Sequence, residues 1–242
     1  MIAYSVIIPA YNEENYLPRT LDALQAAMAA IDRPGEIIVV DNNSTDATAE
    51  IAHRRGARVV FEKINQISRA RNAGAAHARA EHLLFLDADT LISAELLERA
   101  LENLQQADCC GGGATVSPDR PLEFFYRIGL LFWNKLSIKF AMAAGSFIYC
   151  RKEGFEAVGG FSQKVYVGEE IWFSINYGKW GKARNQKFKI IDNTPVVTST
   201  RKLDWYSKFQ TFTFLLAMMF FPFISRYRFL CRFWYRRPSD GR

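Results

Sequence analysis

The chain carries two acidic groupings whose spacing suits chemistry. The first, Asp87-Ala88-Asp89, closes the apolar run His82-Leu83-Leu84-Phe85-Leu86. Such a run reads as a buried strand, and carboxylates two positions apart on a strand point to the same side. There they can hold a hard divalent cation through oxygen ligands. In an open parallel sheet the carboxyl edge is also where ligands bind. A lone Asp-X-Asp is more commonly a polar turn, so the triplet needs company to mean more. The second grouping is Glu169-Glu170, following Gly168. Adjacent carboxylates repel, which raises one pKa towards values useful for a general base. An acidic helix start, favoured by the helix dipole, explains the pair equally well on spacing alone.

The elements that must position these acids are legible upstream. Tyr4-Ser5-Val6-Ile7-Ile8 reads as a strand ending in a Pro9 turn, with an amphipathic stretch over residues 17–31. Glu36-Ile37-Ile38-Val39-Val40 is a second strand, ending in Asp41-Asn42-Asn43-Ser44-Thr45-Asp46. Ser44 or Thr45 is expected to cap the helix that runs on to Arg55. Residues 57–61 form a third strand and residues 68–76 a small-residue helix. Strands alternating with helices indicate βαβ units and a parallel sheet.

At this point the chain resembles family 2 glycosyltransferases. The resemblance rests on seven segments in order: Val6-Ile7-Ile8-Pro9-Ala10-Tyr11-Asn12-Glu13-Glu14, Val40-Asp41-Asn42-Asn43-Ser44-Thr45-Asp46, Ala70-Arg71-Asn72-Ala73-Gly74, Leu86-Asp87-Ala88-Asp89, Ala144-Gly145-Ser146-Phe147-Ile148-Tyr149-Cys150-Arg151, Val158-Gly159-Gly160-Phe161 and Gly168-Glu169-Glu170-Ile171. They span roughly residues 4–200. The resemblance implies an α/β GT-A fold, with a Rossmann-like, mixed but mostly parallel sheet flanked by helices. It implies an inverting, metal-dependent transfer of a hexosyl-type sugar from a nucleotide sugar, with Mg²⁺ or Mn²⁺ as cofactor. It also implies a catalytic domain over residues 1–200, with a nucleotide-sugar-binding half at 1–110 and an acceptor half at 111–200, followed by a tail at 201–242.

The implied roles are specific. Asp89 is the direct metal ligand, and Asp87 contacts the ribose or a metal-bound water. A carboxylate at Asp41 can accept a hydrogen bond from the imide of uracil, or it can begin an Asx turn; the resemblance favours nucleotide binding and a UDP-sugar over a GDP-sugar. Arg71 is expected to reach the base or diphosphate. Pro9, Ala10, Tyr11 and Glu13 form the other wall of the nucleotide site, with packing and contact both open for Tyr11. Ala88, Gly145 and Ser146 complete the donor-site set. Members of the family usually carry Glu-Asp at the base motif, so Glu170 is the expected base and Glu169 its neighbour. The substitution of Glu for Asp leaves the two roles exchangeable. No His follows His82, so the additional metal ligand of some relatives is missing or replaced. Arg201 or Lys202 near that place either binds diphosphate or simply opens the basic tail. The Gln-X-X-Arg-Trp signature of processive synthases does not occur, which favours a single addition.

Composition narrows the alternatives. At 49 % hydrophobic residues the chain of 242 has ample core for one α/β domain or a fused pair. The four cysteines lack metal-site spacing, and Cys109-Cys110 on an apparent strand reads as buried and reduced. Residues 201–242 carry nine Lys/Arg against two Asp/Glu, whereas residues 1–200 carry 22 against 23. The basic pI therefore belongs to the tail, and no nucleic-acid partner is expected. A nucleotidyltransferase would need a Gly-rich basic loop after the first strand, and Pro9-Ala10-Tyr11-Asn12 is not one. A non-catalytic membrane-bound scaffold is the other alternative.

Residues 211–224 are an uncharged stretch of 14, short of the roughly 20 a spanning helix needs. Arg226, Arg228, Arg232, Arg236 and Arg237 follow, interleaved with aromatics. This pattern suits an amphipathic helical tail lying on anionic headgroups. Residues 122–140 are a second candidate, for which burial against the catalytic domain fits as well. No signal peptide opens the chain, so a cytoplasmic enzyme, peripheral on the cytoplasmic face of the membrane, is expected. A lipid-linked acceptor is one candidate, and a homo-oligomer is left open.

Overall fold

The structure, a computed structural model, describes residues 2–207, 210, 213 and 222–231. An eight-stranded sheet forms the centre, in the order β3-β2-β1-β4-β7-β6-β8-β5. Its strands are β1 (Tyr4–Ala10), β2 (Gly35–Asp41), β3 (Arg58–Phe61), β4 (His82–Leu86), β5 (Thr90–Leu91), β6 (Cys109–Pro118), β7 (Phe147–Arg151) and β8 (Lys187–Thr198). β3, β2, β1 and β4 run parallel, joined by α1 (Leu17–Ala29), α2 (Thr48–Arg54) and α3 (Ile67–His77). β7 is antiparallel to both β4 and β6, and β8 runs parallel to β6 and antiparallel to β5. The architecture is the expected mixed α/β sheet, parallel in its first half.

Side-chain alternation divides the core between the two sheet faces. Val6, Ile8, Val39, Leu84 and Leu86 pack with Leu17, Leu21 and Leu24 of α1 and with α4 (Ala94–Gln105). Ile7, Ile38, Val40, Leu83 and Phe85 pack on the opposite face against α3, α6 (Lys152–Ala157) and α7 (Glu169–Lys182). α3 is built from small residues because it lies close on β1: a Cβ at Gly74 would stand 2.3 Å from Ile7 Cγ2. Cys109 and Cys110 are buried free thiols, as their place on a strand led one to expect, and so is Cys150.

Three local expectations change. β1 continues through Pro9 to Ala10, because Pro9 pairs in register with Val40 while lacking an N–H to place. α2 is not capped by Ser44 or Thr45: it starts at Thr48, whose amide donates to Asp46 Oδ1. Ser44 instead accepts from the Asn12 amide, and Thr45 donates its amide to Asn12 Oδ1, lacing the β1–α1 and β2–α2 loops together. Asp87 and Asp89 lie beyond β4 in a turn closed by the Thr90 amide on Asp87 O, so strand alternation is not what aligns them.

Of the expected tail, the described residues show short 3-10 helices at Arg201–Asp204 and Pro222–Arg226. Most of the 211–224 stretch, and Arg232, Arg236 and Arg237, lie outside the described residues. Among the described residues, no helix is long and apolar enough to cross a membrane.

Candidate active site

A cavity of about 280 Å³ opens at the carboxyl ends of β1 and β4. It gathers most of the singled-out residues: Pro9, Ala10, Tyr11, Glu13, Arg71, Asp87, Ala88, Asp89, Gly145, Ser146, Glu169 and Glu170. Asp41 is not on its wall. Its Oδ1 accepts from the Ser44 amide, three residues on, so the carboxylate closes its own loop. The neighbouring Asn42 lines the cavity instead, and its carboxamide donates to Glu62 O and Ile64 O while accepting from the Gln66 amide. Asn42 thereby holds the 62–66 loop in place, a role not visible in its local sequence.

Arg71 joins segments that lie far apart in sequence. It is buried on α3, and its guanidinium donates to Glu169 Oε1 at 2.6 Å, Asp87 Oδ1 at 2.9 Å and Gly145 O at 2.9 Å. The adjacent Asn72 makes a paired contact with the backbone N–H and C=O of Phe161. The Arg-Asn pair is thus a clamp between α3 and the 145–170 region, and Arg71 reaches the cavity with its charge already paired.

Gly168 adopts φ 78° and turns the chain into α7, placing Glu169 and Glu170 in its first turn. Only a residue tolerant of the left-handed region sits there without strain. Glu169 is buried on Arg71. Glu170 is half-buried, and its carboxylate makes no ion pair or hydrogen bond among the described residues. Burial, then the neighbouring Glu169 charge, pushes the Glu170 pKa up to about 8. Burial likewise raises Asp87, against the opposing pull of Arg71.

Asp89 is held from the other side. β5 pairs with the end of β8, and the Ser199 amide donates to Asp89 O. This brings Arg201 to Asp89 Oδ2 at 3.1 Å and to Glu13 Oε1 at 2.6 Å, with the guanidinium 4.0 Å from the Tyr16 ring centre. Lys202, Tyr166 and Trp205 also line the cavity. Tyr166 and Trp205 carried no sequence signal; only the fold brings them here.

The charge balance of the lining bears on what the cavity can hold. Five carboxylates (Glu13, Asp87, Asp89, Glu169, Glu170) face three cations (Arg71, Arg201, Lys202). Fully ionised, that set repels a diphosphate unless a cation enters with it. Among the described residues, no cluster of three or more His, Cys, Asp or Glu stands ready to hold a metal. A site offering one or two carboxylates, completed by phosphate oxygens and water, is how Mg²⁺-type ions are usually held. The residues present fit such an ion.

Residues 5–159 match the family model described as glycosyl transferase family 2, and the chain belongs to that family. It is 38 % identical over 104 residues to an uncharacterized glycosyltransferase of Mycobacterium tuberculosis, covering 43 % of this chain and 44 % of that one. It is 35 % identical over 131 residues to the undecaprenyl-phosphate 4-deoxy-4-formamido-L-arabinose transferase of Edwardsiella ictaluri, covering 51 % of this chain and 39 % of that one. The chain thus spans less than half the length of these curated relatives. In fold it is similar to a mannosyltransferase from Pyrobaculum calidifontis in complex with GDP-Man and Mn²⁺, with a TM-score of 0.63, 21 % identity, and 95 % and 64 % of the two chains covered. It is also similar to S. aureus TarS in complex with UDP-GlcNAc, at TM-score 0.64 and 19 % identity over 83 % and 59 % of the chains.

Proposed function

We propose that this protein is a metal-dependent, inverting glycosyltransferase that moves a single sugar from a UDP-sugar to an acceptor. The observation that carries the reading is the meeting of Asp87 and Asp89 with Glu169 and Glu170 in one cavity, although the two pairs lie far apart in sequence. Glycosyl transfer must hold a nucleotide, neutralise a developing diphosphate charge and ionise the acceptor. Pro9, Ala10, Tyr11 and Asn42 provide the nucleotide wall. Asp89, with Asp87 beside it, would hold Mg²⁺ or Mn²⁺, which when bound supplies positive charge to the leaving group. Arg201 and Lys202 line the same end of the cavity and suit the diphosphate.

Glu170 is the base of this proposal. Among the described residues it is the carboxylate of the cavity wall that makes no ion pair, and its raised pKa suits proton removal from a hydroxyl near neutrality. Glu169, spent on Arg71, orients that guanidinium and the helix start. The relatives named as undecaprenyl-phosphate transferases support an acceptor carried on a lipid, and Glu170 acts as base where that acceptor presents a hydroxyl; the enzyme is then peripheral, on the cytoplasmic face of the membrane in this reading. Residues 1–200 form the catalytic domain in this reading and 201–242 its basic tail. The test is donor turnover: incubation with UDP-sugars and Mn²⁺ should release UDP. Release of pyrophosphate from a nucleoside triphosphate instead would identify a nucleotidyltransferase.

A further inference from the structure

α5 (Phe124–Phe140) fully buries a single residue, unlike the usual helix of a water-soluble domain. Such helices bury an apolar stripe and expose polar residues. Here the face that meets the protein is anchored by polar contacts, with Tyr126, Leu130, Trp133 and Leu136 only partly buried around them. The Asn134 carboxamide donates to Val116 O at 2.9 Å and accepts from Val116 N at 3.0 Å, and Ser137 Oγ donates to Met142 O at 2.6 Å. Ser137 is the one residue of α5 that is fully buried. Other large apolar side chains face outward, with Phe124 69 %, Phe132 62 % and Leu131 56 % exposed. At 100° per residue, Phe124, Ile128, Leu131, Phe132 and Ile138 fall on one arc, and all five are exposed.

The charge on α5 selects the occupant of this face. The helix carries Arg127, Lys135 and Lys139 and no Asp or Glu. By the same angles Lys135 and Lys139 sit on the apolar arc itself. A second copy of this face would bring lysines against lysines with no carboxylate on the helix to pair them. An anionic bilayer satisfies both requirements: acyl chains take the aromatic and aliphatic groups, while lysine stems lie along the apolar surface and carry their ammonium groups to phosphate. Exposed apolar surface of this extent marks an interaction site.

We infer that α5 is an interfacial docking helix, lying in the plane of an anionic membrane surface with Phe124, Ile128, Leu131 and Phe132 entering the bilayer. The chain runs directly from α5 into the segment bearing Gly145 and Ser146 on the cavity wall. Docking therefore ties the cavity to the surface that a lipid-linked acceptor occupies. The inference deepens the proposed function and rests on it for purpose alone.

The test is co-sedimentation of the full chain with phosphatidylcholine vesicles, with and without phosphatidylglycerol. The wild type should partition onto the anionic vesicles. Leu131→Gln/Phe132→Gln should weaken partitioning by at least about tenfold, since each removes a bilayer-buried apolar group. Lys135→Gln/Lys139→Gln should weaken it by roughly fivefold per lysine on anionic vesicles only. Both variants alter exposed groups, so unchanged thermal transitions show that the fold is intact. A wild type that ignores the vesicles overturns the inference, as does equal binding by the Leu131→Gln/Phe132→Gln variant. A concentration-dependent dimer abolished by that variant would assign the face to a second copy. Partitioning is read without donor or metal: a chain that binds vesicles but turns over no donor refutes the enzymatic reading alone, and the converse refutes this one alone.

Discussion

Arg201 Nη2 stands 3.1 Å from Asp89 Oδ2, at the place where the resemblance expected an additional metal ligand. The same nitrogen is 2.6 Å from Glu13 Oε1, and all three side chains are about 90 % buried. A fixed cation therefore joins the β1 loop to the acidic turn.

Removing that cation leaves two carboxylates buried without it. Arg201→Ala should cost about 3 kcal/mol, the usual loss when one partner of a buried pair is deleted. In a chain of this size that lowers Tm by roughly 6–12 °C. Because Mn²⁺ can stand in for the lost charge, it should raise Tm more in the variant than in the wild type. Calorimetry with and without Mn²⁺ decides the matter; an unchanged Tm would mean the ion pair carries no weight.

Asp89→Ala should lower donor turnover by a factor of about 10² or more, because charge on the departing diphosphate then goes unbalanced. UDP release is the readout. Full activity of this variant, or of the wild type in excess EDTA, would remove Asp89 from the metal role.

Glu170→Gln keeps size and hydrogen bonding but takes no proton, so turnover should fall by about 10²–10⁴ with UDP binding retained. A base must be ionised to act, so wild-type activity should rise with pH through a pKa near 8. The stability effect has the opposite sign. A carboxyl whose folded pKa is raised contributes most below its unfolded pKa, and the contribution is lost as pH climbs through the folded value. Glu170→Gln should therefore gain Tm relative to wild type above about pH 8 and lose that advantage near pH 5. A phosphomonoester acceptor arrives ionised and needs no base, so undiminished turnover in Glu170→Gln would point to that acceptor class. A dead Glu169→Gln beside an active Glu170→Gln would exchange their roles.

Arg71→Lys keeps the charge but cannot span Glu169, Asp87 and Gly145 O together. It should lower both Tm and turnover, while Arg58→Lys, on a partly exposed side chain away from the cavity, changes neither. Parallel melting and UDP-release curves check this.

Donor choice is read from a thermal-shift panel of UDP, GDP, dTDP and CDP with Mn²⁺. Saturating UDP at about 100 times its Kd should add roughly 2.7 kcal/mol. A shift with GDP alone would replace the uridine donor by a guanosine one.

What the sequence determined by itself was local and periodic. Alternating apolar runs placed β1 to β4 and their helices, and the small residues around Gly74 marked a helix whose close approach to β1 the structure then supplied. The acidic turn after β4 and the Gly168 entry to α7 were legible because glycine, carboxylates and apolar runs leave marks at short range. Partnerships between distant residues were decided by the tertiary structure alone. Nothing near Arg71 indicates that Glu169 will meet it, and nothing near Arg201 indicates Asp89; the β5–β8 pairing and the α3–α7 packing make those contacts. Asp41 turned inward to the Ser44 amide because its own backbone offered the nearest donor, leaving Asn42 on the cavity wall. Helical spacing revealed the apolar arc of α5, but whether an arc faces core or solvent depends on what packs against it, and here Val116 and Met142 engage Asn134 and Ser137 and leave that arc outward.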